Sequence, residues 1–188
     1  LNTYIIAIEY PNYGIYKGLK VDYPNENNIN EILATIYAYI TKKWYIKPKQ
    51  IYFFGRSIGT GPTIAIVSKL CNKGIKIGGM ILLSAYTSIN NIIKDRIGII
   101  APYIINIDYW NSLKNINNIN IPILLFHGNN DQIILHKHSI ELYNKCPLND
   151  NKYLELYDGN HNIYNINNII HLIIKHFNFF SKIDDDQK

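Results

Sequence analysis

Apolar residues along the chain gather in short runs broken by Gly, Pro and Asn, and the runs alternate with segments of helical spacing. Residues 3–9 (TYIIAIE), 50–54 (QIYFF), 79–84 (GMILLS) and 121–127 (IPILLFH) are continuously apolar rather than alternating. That pattern predicts strands buried on both faces, as in a parallel sheet. A fifth run, 151–157 (NKYLELY), alternates more and reads as a strand nearer an edge. Between them, residues 28–44 place Ile29, Ile32, Leu33, Ile36, Ile40 and Trp44 at spacings of three and four, one apolar stripe of a helix. Residues 62–72 and 136–145 read as two more helices, the latter ended before Pro147. A fourth, over 165–180, turns Ile169, Ile170, Ile173, Ile174 and Phe177 inward. Strand alternating with helix predicts an α/β fold with right-handed crossovers and helices on both faces of the sheet.

One stretch departs from this rhythm. Residues 85–120 are about twice as long as the other connections, and loops of that length carry extra helices or function. They read as one or two short helices forming a small lid over the strand ends. Residues 1–180 form one expected domain, without repeats, and 181–188, with Asp184, Asp185 and Asp186, a frayed acidic tail.

Composition narrows the function classes. With 188 residues and 47% hydrophobic content the chain can bury a core and is not disordered. No run reaches the ~18 apolar residues that span a bilayer. The longest candidate, 97–107, contains Pro102. The net charge of +5 comes almost wholly from scattered Lys, Arg56 and Arg96 being the only arginines, so no nucleic-acid groove is expected. Ile, Asn, Lys and Tyr make up more than half of the chain while Ala appears 6 times, a skew toward A/T-rich codons that reads as genomic. Two cysteines, Cys71 and Cys146, form neither a disulfide framework nor a CxxC clip, which fits reduced thiols and a cytoplasmic setting.

The chemistry enters after the run QIYFF. Gly55-Arg56-Ser57-Ile58-Gly59, then Thr60-Gly61-Pro62 and a helix, is a G-x-S-x-G pattern at a strand-to-helix turn. Such a turn strains the serine backbone and lifts its hydroxyl clear of the sheet. Gly55 and Gly59 are expected where a Cβ would strike the neighbouring strand or helix. Pro62 suits a first helical turn, and the helix N-terminus favours an anion beside the serine. With 11 Gly in the chain, the pattern arises by chance only about 0.02 times.

A serine hydroxyl needs a base, and the base an orienting acid. The elbow arrangement predicts the order Ser, Asp or Glu, His, each at the end of a later strand. Asp131 lies in the loop just past 121–127, and His161 in the loop past 151–157. Open α/β sheets gather their sites at these carboxyl ends. Other candidates rank below them. His136, His138, His171 and His176 fall in helices and read as surface or packing residues. His127 precedes the acid and reads as packing at its strand end, and Asp158 as shaping the His161 loop. Ser84 lacks the glycine frame. Asp108, in the long connection, is the second choice of acid. No cluster has metal-ligand spacing, and neither GxxxxGK[ST] nor GxGxxG appears, so no cofactor is expected.

These residues together resemble the α/β-hydrolase superfamily. GRSIGTGP, FHGNND and GNHN are similar in particular to the branch of Bem-like and depalmitoylating serine hydrolases. So are Glu9-Tyr10-Pro11-Asn12-Tyr13-Gly14 and Tyr143-Asn144-Lys145-Cys146-Pro147. The resemblance implies Ser57 as nucleophile, Asp131 as acid, His161 as base and the Ile58 N–H as an oxyanion donor. It implies hydrolysis of small acyl esters, thioesters or acylated proteins through an acyl-enzyme, by a carboxylesterase or acyl-thioesterase. It also implies strands upstream of residue 1, so that the chain would be the C-terminal two-thirds of a catalytic domain. The second oxyanion donor, and any segment for peripheral membrane association, would lie outside it. Arg56 departs from that branch in the elbow. The rival expectations are a serine peptidase of the same fold, a lipase with a mobile lid and a non-catalytic binding protein.

Overall fold

The computed structural model describes residues 3–14, 24–98 and 109–177. Four parallel strands form one sheet in the order β1-β2-β3-β4: β1 Tyr52–Arg56, β2 Gly79–Leu83, β3 Ile123–Gly128 and β4 Lys152–Tyr157. Register pairs Arg56 with Leu83, Leu83 with Phe126, and Gly128 with Tyr157, so the carboxyl ends of all four strands lie along one rim. The helices are α1 Glu26–Lys43, α2 Thr60–Asn72, α3 Ile89–Ile97, α4 Ser112–Ile116, α5 Lys137–Lys145 and α6 Ile166–Phe177. Single-turn 3-10 helices at Pro48–Gln50 and Ser57–Gly59 precede and follow β1. Four helix starts are set by side-chain caps: Asn25, Ser88, Asn111 and Asn165 each accept a backbone N–H three residues on.

The two central strands are buried along their whole length, as continuous apolar runs predict. Their side chains alternate between two cores. Met80, Leu82, Ile123 and Leu125 pack with Ile29 and Leu33 of α1, Ile64, Val67 and Leu70 of α2, Ile116 of α4 and Leu142 of α5. Ile81, Leu83, Leu124 and Phe126 face the other way, onto Ile169 and Phe177 of α6. β4 ends the order, in keeping with its mixed pattern.

Residues 3–9 correct one expectation. They form no strand, and Tyr4 and Ile5 are 93% and 91% exposed. A strand exists only by pairing, and among the described residues none lies beside this segment to complete a ladder. Two helical stripes are also narrower than their spacing suggests. Trp44 lies just past the end of α1, half exposed and edge-on to Tyr39, and Ile170 points away from the core while Ile169 and Phe177 enter it. Among its described residues the long connection carries two short helices, α3 and α4. Its middle, with Asp108, and the tail 181–188 lie outside the described residues. No described helix is long and apolar enough to cross a membrane, and Cys71 and Cys146 are free and buried.

Candidate active site

The chain leaves β1 and turns at once into α2. That reversal holds Ser57 at φ 51°, in the left-handed region that side chains rarely adopt. Gly55 makes the turn possible. A Cβ there would lie 2.6 Å from Thr63 Oγ1, 2.8 Å from Gly59 O and 2.9 Å from Thr60 Cα, two of them backbone atoms. Gly59 corrects an expectation: a Cβ on it would meet only the Tyr10 hydroxyl, at 3.8 Å, because it sits on the outer side of the turn in ordinary helical backbone. Pro62 is the third residue of α2, where its missing N–H leaves no helical bond unmade. Ile58 follows Ser57, with its N–H at the start of this turn and its carbonyl accepting the Tyr86 hydroxyl at 3.2 Å.

Two loops, from β3 and β4, close on this serine. The β3 and β4 loops are joined by the Asn129 N–H to Tyr157 O and the Asn130 N–H to Gly159 O, both 2.9 Å. The Asn130 side chain adds a bond to Asp158 Oδ1 at 2.9 Å, so Asp158 shapes these loops. Asp131 Oδ1 accepts the N–H groups of Ile133 and Ile134 at 2.8 and 2.9 Å. Its other oxygen lies 2.7 Å from His161 Nδ1, and His161 Nε2 lies 2.8 Å from Ser57 Oγ. The structure thus brings Ser57, His161 and Asp131 into one hydrogen-bonded chain.

Electrostatics fix the direction of its protons. Burial works to raise the Asp131 pKa, but the hydrogen bonds from Ile134, His161 and Ile133 outweigh it and hold the carboxyl below the ordinary value. An ionised carboxylate only accepts, so His161 Nδ1 carries the proton. Nε2 is then the acceptor, and the Ser57 hydroxyl donates to it. The site holds an imidazole whose Nε2 is hydrogen-bonded to a hydroxyl and whose Nδ1–H is held by a carboxylate, an arrangement that can move a proton off the hydroxyl.

The sequence reading missed a second histidine on that acid. His127 is fully buried, and its Nε2 lies 2.8 Å from Ile134 O and 3.3 Å from Asp131 Oδ2. Both neighbours accept, so Nε2 is the donor, and Nδ1 takes the Ser139 hydroxyl at 2.6 Å. Burial depresses its pKa despite Ile134 O and Asp131, which keeps it neutral. His127 therefore orders the loop that presents Asp131, and the spacing of four from His127 to Asp131 in HGNND was the available signal. His138, read as surface or packing, is buried and engaged: Nδ1 accepts the Thr87 hydroxyl at 2.8 Å, and Nε2 lies 3.0 Å from Asp95 Oδ2. Ser84, at φ 53°, ends β2 with its buried hydroxyl unpaired. Among the described residues no group of three His, Cys, Asp or Glu is placed to hold a metal ion.

A parallel sheet covered on both faces, with a strained serine, a histidine and an aspartate meeting at its carboxyl rim, defines the α/β-hydrolase fold. Comparison with known proteins agrees. The family model described as PET hydrolase-like matches residues 68–188, and the chain belongs to that family. The match takes in Asp131 and His161 and begins after Ser57. An alpha/beta hydrolase of Acanthamoeba polyphaga mimivirus, L404, is 31% identical over 80% of this chain and 52% of its own length. A lysophosphatidylserine lipase of Danio rerio, ABHD12, is 25% identical over 76% of this chain and 39% of its own. The chain thus spans about half the length, or less, of these relatives. Among solved structures, an alpha-beta hydrolase from Vibrio vulnificus superposes with a TM-score of 0.69 at 18% identity, over 81% of this chain and 57% of that one.

Proposed function

We propose that the protein is a serine hydrolase that cleaves acyl esters or thioesters through an acyl-enzyme. The observation that carries this reading is the bond from Ser57 Oγ to His161 Nε2, 2.8 Å, on an imidazole held by Asp131 at 2.7 Å. Ser57 Oγ attacks the acyl carbonyl as its proton passes to His161 Nε2. Asp131 stabilises the imidazolium through Nδ1–H without taking the proton. The carbonyl oxygen becomes an oxyanion, and the Ile58 N–H beside Ser57 is the donor that this chain offers it. When the tetrahedral intermediate collapses, the alcohol or thiol leaves with the proton from His161. Water, deprotonated by the same nitrogen, then attacks the acyl-enzyme and frees the acid.

The hydrolase family supports the reading, as does the lipase relative, and small acylated molecules or acylated proteins are its substrate class. A cytoplasmic setting, with peripheral association at membranes, is part of the same proposal. The test uses the full-length protein and a fluorophosphonate probe, which labels activated serines. The expected result is labelling in the wild type and none in Ser57→Ala. Labelling that survives in Ser57→Ala removes the proposed nucleophile.

A further inference from the structure

We infer that Arg56, the residue inside the elbow that departs from the resembling branch, is a positioning residue that braces the loop of the base against the strand of the nucleophile. The inference rests on the serine-hydrolase reading for its catalytic consequence, but its geometry stands apart from it. Arg56 Nη2 donates to the backbone carbonyl of His161 at 3.0 Å and to Asn162 Oδ1 at 2.9 Å. The same guanidinium lies 5.4 Å from the centre of the Tyr164 ring. One side chain therefore holds three residues of a four-residue stretch, 161–164.

The stretch needs such a brace. Residues 158–165 contain no regular structure, and downstream of His161 the bonds from Asn162 and Ile163 N–H run to Asn160 Oδ1, within the loop itself. On the upstream side Asn130 ties down Asp158 and Gly159. Among the described residues, the side-chain bonds that tie the backbone of 161 and the side chain of 162 to another element both come from Arg56.

The connectivity gives the brace its purpose. Arg56 is bonded covalently to Ser57, so the path from Ser57 through Arg56 to the His161 carbonyl, along His161 and back through Nε2 to Ser57 Oγ, is a closed ring. A ring of that kind fixes the spacing of nucleophile and base. The chemistry selects arginine because one Nη2 carries two N–H donors for two acceptors while the flat guanidinium lies against an aromatic ring. Lysine can supply the donors, but not the planar face.

The test uses the full-length protein with Arg56→Ala, Arg56→Lys and Asn162→Ala, p-nitrophenyl acetate as substrate and the fluorophosphonate as serine probe. Loosening the pair by about 1 Å is expected to lower kcat and the labelling rate of Arg56→Ala about 10- to 100-fold, with KM changed less than about twofold. Arg56→Lys is expected to recover part of the loss, and so is guanidinium chloride added to Arg56→Ala, where the same concentration of sodium chloride does not. Asn162→Ala should cost less, and the double variant should behave like Arg56→Ala, since both changes break one contact. Unchanged kcat overturns the inference, and so does a rise in KM alone, which would make Arg56 a substrate-binding group. Hydrogen exchange of amides 160–164 is read in parallel, at matched thermal midpoints. Faster exchange there in Arg56→Ala supports the brace, and unchanged exchange overturns it. If wild type and Ser57→Ala are equally inactive and unlabelled, the hydrolase reading fails, while the exchange result still decides the brace.

Discussion

At the residue scale, the elbow separates two glycines that look alike in the sequence. A methyl group on Gly55 meets backbone at 2.8 and 2.9 Å, and backbone does not swing aside as a side chain does. Gly55→Ala is therefore expected to cost about 1–3 kcal/mol by overpacking. Gly59 has φ −69° and room for the methyl, so Gly59→Ala is expected to leave stability within about 1 kcal/mol or raise it. Urea unfolding of the two variants checks the contrast, and equal costs would refute the packing account. Asp131 offers a chemical counterpart. Asparagine keeps an oxygen for the Ile133 and Ile134 N–H groups but turns an N–H toward His161 Nδ1 and His127 Nε2, where only an acceptor serves. Asp131→Asn is expected to slow fluorophosphonate labelling by about 10⁴-fold, through the wrong tautomer at His161, with the fold retained by circular dichroism.

At the scale of elements, α3 and α5 are joined by polar contacts, those of His138 buried, rather than by apolar packing alone. His138 on α5 meets Thr87 just before α3 and Asp95 within it; Lys137 bonds Asp95 at 2.6 Å, and Glu141 is the other charge near the ring. Burial lowers the His138 pKa, against the opposing pull of Asp95. A histidine held neutral in the fold takes up its proton more readily when unfolded. Its stabilising contribution is complete above the unfolded value of about 6.5 and is lost as pH falls from there toward the depressed folded value. Unfolding free energy measured by urea between pH 7 and 5 is expected to fall more steeply in wild type than in His138→Gln, by at most about 1.4 kcal/mol per pH unit. Equal slopes would show that His138 titrates normally. This tie was not legible in the sequence, and the reason is physical. β2, β3 and α1 announce themselves because burial on two faces leaves a continuous apolar run and burial of one helix face repeats at spacings of three and four. Ser57, Asp131 and His161 were legible because each follows a strand whose end the pattern locates. The pairings of His138 with Asp95, His127 with Asp131, and Arg56 with the His161 loop join polar side chains distant in the chain or off any stripe, and no period marks them. Residues 3–9 were misread for a related reason: their pattern encodes burial in a sheet, but a strand needs a partner that a single segment does not specify.

At the scale of the molecule, stability is concentrated in the two strands that both cores share. Met80, Leu82, Ile123, Leu124 and Leu125 are fully buried, and each strand has a paired neighbour on either side. Opening either one breaks two ladders and both cores together, so their amides should exchange only through global unfolding. β1 and β4 end the described order, with burial mixed along their length, and α6 touches the sheet mainly through Ile169 and Phe177. Native-state hydrogen exchange is expected to rank β2 and β3 slowest, β1 and β4 next, and α6 faster. Side-chain truncation should follow the same gradient. Leu124→Ala removes a branched side chain from the α6-facing core and is expected to cost about 2–5 kcal/mol through lost burial and the cavity left behind. Ile166→Ala, at a position 54% exposed in the first turn of α6, is expected to fall within about 0.5 kcal/mol. If Ile166→Ala proves as costly as Leu124→Ala, the first turn of α6 is packed against something other than solvent, and the stability of the molecule is spread more evenly than two shared strands allow.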